Sequence, residues 1–137
     1  MEGLMYLVDT NIFLEALLEQ NKAQEVRSLF QKIDLEEMFI TDLSLHSMGI
    51  ILFGLGKFEL FSSFLDDMIV DGIEILSLQS VELKSLHGIA QSFNLDFDDA
   101  YQYSVAEKYN LQLISFDQDF DRSKRKKKEP SEILRNL

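Results

Sequence analysis

Met5-Tyr6-Leu7-Val8-Asp9-Thr10-Asn11 is an apolar run that stops abruptly at an acid, a hydroxyl and an amide. A short continuous apolar run reads as a buried parallel strand, and in open α/β sheets the ligand crevice lies just beyond the carboxyl ends of such strands. Asp9 stands at such an end. The pattern returns at Leu111-Gln112-Leu113-Ile114-Ser115-Phe116, which runs into Asp117, and an acid-rich turn, Asp96-Phe97-Asp98-Asp99, opens the helix before it. Three carboxylates, those of Asp9, Asp99 and Asp117, are thereby expected to converge at one sheet edge.

Working outward from the first strand, Thr10 or Asn11 can cap a helix whose apolar face is Ile12, Leu14, Leu17 and Leu18, and Asp9 is itself a capping candidate. A second helix is expected over residues 22–33, a second strand over 38–41, and a helix starting at Thr41, Asp42 or Ser44 and ending before Gly54 and Gly56. Residues 57–70 read as one amphipathic helix, 73–77 as a third strand, 81–93 and 98–109 as helices and 111–116 as the fourth strand. In the last helix Asp98 is expected to cap, which leaves Asp99 to point into the cleft. Strands alternating with helices predict an α/β fold on a parallel sheet.

The chain has 137 residues, 46% of them hydrophobic, which suits a single domain over residues 1–137. Net charge is −11, but it is unevenly spread: residues 122–137 carry seven basic and two acidic residues, +5, and residues 1–121 carry six basic and 22 acidic ones, −16. An acidic body thus bears a basic C-terminal segment. The absence of Cys excludes disulfides, thiolate zinc sites and cysteine nucleophiles. The opening residues hold an acid where a signal peptide would hold Lys or Arg, and the longest uncharged stretch, residues 43–56, is shorter than the roughly 20 apolar residues a membrane span needs. A soluble cytoplasmic protein with no membrane contact is expected.

Each acid taken singly suits a cap or a turn. Two separate apolar strands that each end in Asp, with a third Asp one step inside a helix start, ask for more than caps. Carboxylates gathered at one edge repel and raise each other's pKa unless a cation lies between them, and hard oxygen donors suit Mg²⁺ or Mn²⁺. Asp117-x-Asp119-x-Asp121 imitates the start of a calcium loop, but Arg122 and Lys128 stand where Gly and Glu are required. His46 and His87 lack a second His at ligand spacing, and the chain has neither a Gly-rich phosphate loop nor a Ser-centred nucleophile elbow.

Val8-Asp9-Thr10-Asn11-Ile12-Phe13-Leu14, then Phe97-Asp98-Asp99-Ala100, then Leu113-Ile114-Ser115-Phe116-Asp117-Gln118-Asp119-Phe120, in that order, resemble a PIN-domain ribonuclease, above all the VapC-type toxin of a toxin-antitoxin pair. Pro130-Ser131-Glu132-Ile133-Leu134 is similar to the closing segment of that family. The resemblance implies a PIN-like α/β/α sandwich with a central parallel sheet of four to five strands, and Mg²⁺- or Mn²⁺-dependent hydrolysis of RNA. It also implies an antitoxin partner. Carried over residue by residue, it gives Asp9, Asp99 and Asp117 as catalytic and metal-binding acids, with Thr10, Asn11 and Ser115 as polar support. One position departs: counting from Thr41, Ser47 stands beside His46 where the family places Glu, and Asp42 comes too early to replace it. A non-catalytic PIN module that binds RNA or protein is therefore the alternative reading.

The basic block, Arg122, Lys124, Arg125, Lys126, Lys127 and Lys128, is expected to be either a solvated segment, a contact with an acidic subunit, or a track for an RNA backbone leading to the acids. Phe116, Phe120 or Tyr101 would then be available to stack bases. Met48-Gly49-Ile50-Ile51-Leu52-Phe53 and the helix with Phe58, Phe61 and Phe64 read first as core, but their apolar surface exceeds one face, so a homodimer interface or an antitoxin groove is expected there as well.

Overall fold

In the computed structural model, residues 4–137 are described; the acidic opening, residues 1–3, lies outside them. Four parallel strands, β1 (Tyr6–Val8), β2 (Met38–Thr41), β3 (Glu74–Leu76) and β4 (Gln112–Ile114), form one sheet in the order β3-β2-β1-β4. Their helices are α1 (Thr10–Leu17), α2 (Ala23–Lys32), α3 (Asp42–Gly54), α4 (Phe58–Phe64), α5 (Ser80–Leu83), α6 (Leu86–Phe93), α7 (Phe97–Tyr109) and α8 (Pro130–Arg135). The chain winds outward from β1 in one direction through β2 and β3, and then returns to place β4 on the other side of β1. That reversal opens a crevice at the carboxyl ends of β1 and β4.

Alternation along β1 divides the core. Tyr6 and Val8 face a cluster with Ile12 and Phe13 of α1, Val26 and Leu29 of α2, and Met48 of α3, while Leu7 faces a second cluster with Ala100 and Val105 of α7 and Phe120. Both faces of the sheet are covered, which is why its strands read as unbroken apolar runs rather than alternating ones. The predicted α/β/α sandwich is the observed architecture, with four strands in the sheet.

Several element boundaries differ from expectation. The helix expected over residues 57–70 is α-helical only to Phe64 and widens into a π turn over Leu65–Ile69; the one expected over 81–93 is broken into α5 and α6. Asn94 and Asn110 end α6 and α7 in the left-handed region, each at φ 54°, a conformation in which a short amide side chain serves nearly as well as Gly. Asp96, not Asp98, caps α7: its Oδ1 accepts the Asp99 N–H at 2.9 Å. A cap bonds the N–H two or three positions on, so the first acid of the run takes the role and the third is carried into the helix.

The basic block also departs from a free tail. Ile114 and Lys128 form a parallel bridge, with Lys128 N–H donating to the Leu113 carbonyl at 2.9 Å and Ser115 N–H to the Lys128 carbonyl at 3.0 Å. The segment thus covers the outer edge of β4, whose backbone groups would otherwise stand unpaired. Among the described residues no helix is long and apolar enough to cross a membrane.

Candidate metal centre

The crevice beside β1 and β4 is a cleft of about 500 Å³ lined by Asp9, Thr10, Asn11, Ser47, Asp96, Asp98, Asp99 and Asp117 together with Leu14, Ile50 and Ile51. Asp9 follows β1 and caps α1, accepting the Thr10 N–H at 2.9 Å on Oδ1. Asp99 enters from the first turn of α7, and Asp117 follows β4 and caps the short 3-10 turn Gln118–Arg122. The three acids named from the sequence therefore line one cleft at the carboxyl edge of the sheet.

Their settings differ. Asp9 is buried, and both its oxygens already accept hydrogen bonds: Gln102 Nε2 donates to Oδ1 at 2.9 Å and Ser115 Oγ to Oδ2 at 2.7 Å. Burial pushes its carboxyl above the ordinary range and Asp117 adds to that, while the bonds from Ser115, Gln102 and Thr10 oppose the rise. Asp99 has no such support. Its carboxyl is pushed up to about 8, first by burial and then by the negative charges of Asp117, Asp96 and Asp9.

Ser115 is the hinge of the polar support. Its hydroxyl donates to Asp9 and accepts from Asn11 Nδ2 at 3.2 Å and from the Asp117 N–H at 2.9 Å, while Asn11 Oδ1 accepts the Phe116 N–H at 3.2 Å. One residue after β4 thus fixes the acid after β1 and the acid after β4 relative to each other. Ser47, in the second turn of α3, lines the same cleft and brings no charge to it.

One acid outside the predicted three joins the site, and one amide escaped the sequence reading. Asp119 has a carboxylate that lies with those of Asp99 and Asp117 so that one oxygen from each falls within 4.8 Å of the others. It also pairs with Arg122 at 2.9 Å. Gln102 is buried on α7 one turn beyond Asp99; the i, i+3 spacing was visible in the sequence, but its burial and its partners were not.

The donor set is all oxygen and strongly anionic, and among the described residues no Lys, Arg or His lines the cleft. Burial and the neighbouring negative charges, which together push the Asp99 carboxyl up, are what a hard divalent cation offsets, so the residues present fit such an ion.

The family model of the PIN domain matches residues 6–126. The chain belongs to the PIN-domain family. No curated protein matches its sequence. Among solved structures, this PIN domain superposes on VapC20, a sarcin-ricin-loop-cleaving toxin of Mycobacterium tuberculosis, with a TM-score of 0.77 at 13% identity, covering 91% of this chain and 99% of that one. A toxin-antitoxin complex from Klebsiella pneumoniae gives 0.73 at 17% identity over 91% and 97%, and VapBC2 of Rickettsia felis, bound to a DNA fragment from its promoter, gives 0.66 at 18% over 90% and 96%. At such identities the likeness is one of fold.

The basic residues lie elsewhere. A groove of about 680 Å³ beside the amino end of β4 is lined by Lys124, Arg125, Lys126, Lys127 and Lys128 with Leu111, Gln112, Asp121 and Glu132, and it shares no lining residue with the acidic cleft. Arg122 is bound to Asp119 and to the Phe93 and Asn94 carbonyls, Arg125 to the Leu111 carbonyl and Asn110 Oδ1, and Lys127 to Asp121 at 3.1 Å. The expected aromatic platforms are mostly closed: Phe120 is fully buried, and Tyr101 is buried with its hydroxyl donating to Asp42 and accepting from the Leu78 N–H. Phe116 is half-buried, with Lys22 Nζ 5.0 Å above its ring.

The apolar surplus of α3 and α4 is real. Ile50, Phe53 and Phe58 are more than half exposed, and Gly49, Ile50, Phe53, Phe61 and Ile75 line an apolar hollow of about 620 Å³.

Proposed function

We propose that this PIN domain is a divalent-metal-dependent endoribonuclease acting in the cytoplasm as the toxin of a toxin-antitoxin pair. Asp9, Asp99 and Asp117 form its catalytic acidic core, Asp119 adds a carboxylate that offsets the missing Glu at Ser47, and Thr10, Asn11 and Ser115 hold the acids in place. The observation that carries the reading is the convergence of unneutralised carboxylates at the switch point of a PIN sheet, with Asp99 pushed to about 8. Bound there, Mg²⁺ or Mn²⁺ would supply Lewis acidity toward a phosphoryl oxygen and toward water. Asp9 is oriented by its three donors, and Asp99 would hold the ion with its deprotonated carboxylate, the form that a bound cation favours.

Lys124, Lys126 and Lys128 are the cations of the basic block left for an RNA backbone, because Arg122, Arg125 and Lys127 are engaged within the chain. The exposed apolar face of α3 and α4 suits a protein partner, an antitoxin or a second copy of the chain. Ser47 favours a second reading, a non-catalytic module that binds RNA or protein without turnover. The two readings separate when purified protein is incubated with single-stranded RNA. The nuclease cleaves in Mg²⁺ or Mn²⁺ and stops in chelator and in Asp9→Asn and Asp99→Asn; RNA that binds and survives equally in every sample establishes the module.

A further inference from the structure

A buried amide links the acid after β1 to the cap of α3. Gln102, 3% exposed, sends Nε2–H to Asp9 Oδ1 at 2.9 Å and to Ser44 Oγ at 2.8 Å, and its Oε1 accepts the Thr41 hydroxyl at 2.6 Å. The orientation of this amide is set at both ends. Thr41 is the N-cap of α3 and its Oγ1 already accepts the Ser44 N–H at 2.9 Å, so its own proton is directed to a further acceptor, the amide oxygen. At the other end a reversed amide would bring its oxygen against the Asp9 carboxylate. Every polar atom of the set, Gln102, Thr41 and Ser44, is buried and paired, so the arrangement has no cheap alternative.

We infer that Gln102 is a positioning residue for Asp9: held by the Thr41 cap hydroxyl, its amide N–H fixes which lone pairs of Asp9 face the cleft and so sets the affinity of the site for its divalent ion. The inference rests on the reading of the cleft as a metal centre. It gives α7 two functions one turn apart, an acid at Asp99 and an orienting donor at Gln102. It also ties Asp9 to the end of β2 and to α3, the helix that carries Ser47. Partners that orient metal ligands typically change affinity by 10–100-fold on removal.

The test measures Mn²⁺ binding by loss of the free-ion electron paramagnetic resonance signal, alongside thermal unfolding and crystal structures of metal-free variants. Gln102→Leu is expected to weaken Mn²⁺ by roughly tenfold or more and to rotate the Asp9 carboxylate. Thr41→Val releases the amide and is expected to weaken Mn²⁺ in the same direction, whereas the conservative Thr41→Ser restores the hydroxyl and the affinity. Lower thermal stability in Gln102→Leu with unchanged Mn²⁺ affinity and an unmoved Asp9 would overturn the proposal and leave Gln102 as a buried polar group of the core. Should that variant fail to fold, equal Mn²⁺ affinities in Thr41→Val and Thr41→Ser overturn it equally. If the unmodified protein binds no Mn²⁺, the metal reading fails by itself, and the Asp9 side-chain conformation in the Gln102 variant still decides whether the amide positions it.

Discussion

At the carboxyl end of β4, Asp117 joins a cleft of acids that no basic residue lines among the described residues, whereas the opposite end of the same strand and its outer edge are wrapped by a block of bases already half consumed by acids, carbonyls and the bridge to Ile114. The two regions hold comparable numbers of charges and manage them differently. Half of the basic block behaves as structure: the backbone of Lys128 closes a sheet edge, and the side chains of Arg122, Arg125 and Lys127 fix the chain after Asp117. In the acidic cleft the charges stay unbalanced, and burial together with that repulsion drives one carboxyl to about 8. Unrelieved repulsion is a cost that folding alone would remove, so the cleft is where function is to be sought.

Asp99→Asn gives the largest expected effect and the sharpest separation of the two regions. RNA cleavage in Mn²⁺ should fall by on the order of a hundredfold or more, as when other preorganised charges are removed from active sites. The metal-free variant should nevertheless unfold at a higher temperature than the parent, because repulsion in the cleft is relieved. A variant that loses stability together with activity would mean that Asp99 serves the fold.

The pH dependence of stability is next in size. Asp99 binds its proton more tightly in the folded than in the unfolded chain, so between roughly pH 4 and pH 8 the folded state holds more protons and this group's stabilising contribution is lost as pH rises through about 8. Metal-free protein should melt lower at pH 8 than at pH 5, by roughly 5 °C. Saturating Mg²⁺ should reverse the slope, since the ion binds the deprotonated site. Calorimetry with and without chelator reads both effects, and a flat metal-free profile would show that the cleft acids are relieved in another way.

Ser47→Glu adds an acid to the unbalanced side of the comparison. Mn²⁺ affinity should rise by about tenfold, equivalent to about 1.4 kcal/mol, and cleavage should rise with it; titration calorimetry measures the first. Metal-free stability should drop at the same time, because one more carboxylate joins the repulsion.

The smallest effects belong to the block. Replacing Lys124, Lys126 and Lys128 together with Gln should flatten the dependence of log RNA affinity on log salt by roughly 2, at about 0.7 per phosphate contact on a single strand, with little change in cleavage at saturating RNA. Replacing Arg122, Arg125 and Lys127 instead should lower the melting temperature and leave the salt slope nearly unchanged. The opposite assignment of slope and stability would dissolve the distinction drawn between the two halves of the block.

The sequence alone determined the layered α/β architecture, because buried strands and amphipathic helices write their periods directly into the order of residues. It also located Asp9, Asp99 and Asp117 at element ends, where an open parallel sheet gathers its ligands. It could not settle which acid of Asp96-Phe97-Asp98-Asp99 caps α7, since that turns on a bond to one backbone N–H. Nor could it decide that Asp119 lies beside Asp99 and Asp117, free the block from the image of a tail, or give Gln102 its place against Asp9. Those facts depend on contacts between residues 93 or 61 positions apart and on an edge pairing across a turn. A side chain's partners at such distances are chosen by the packing of α7 between the sheet and its neighbours. Local pattern carries no record of that choice, and only the tertiary structure decided it.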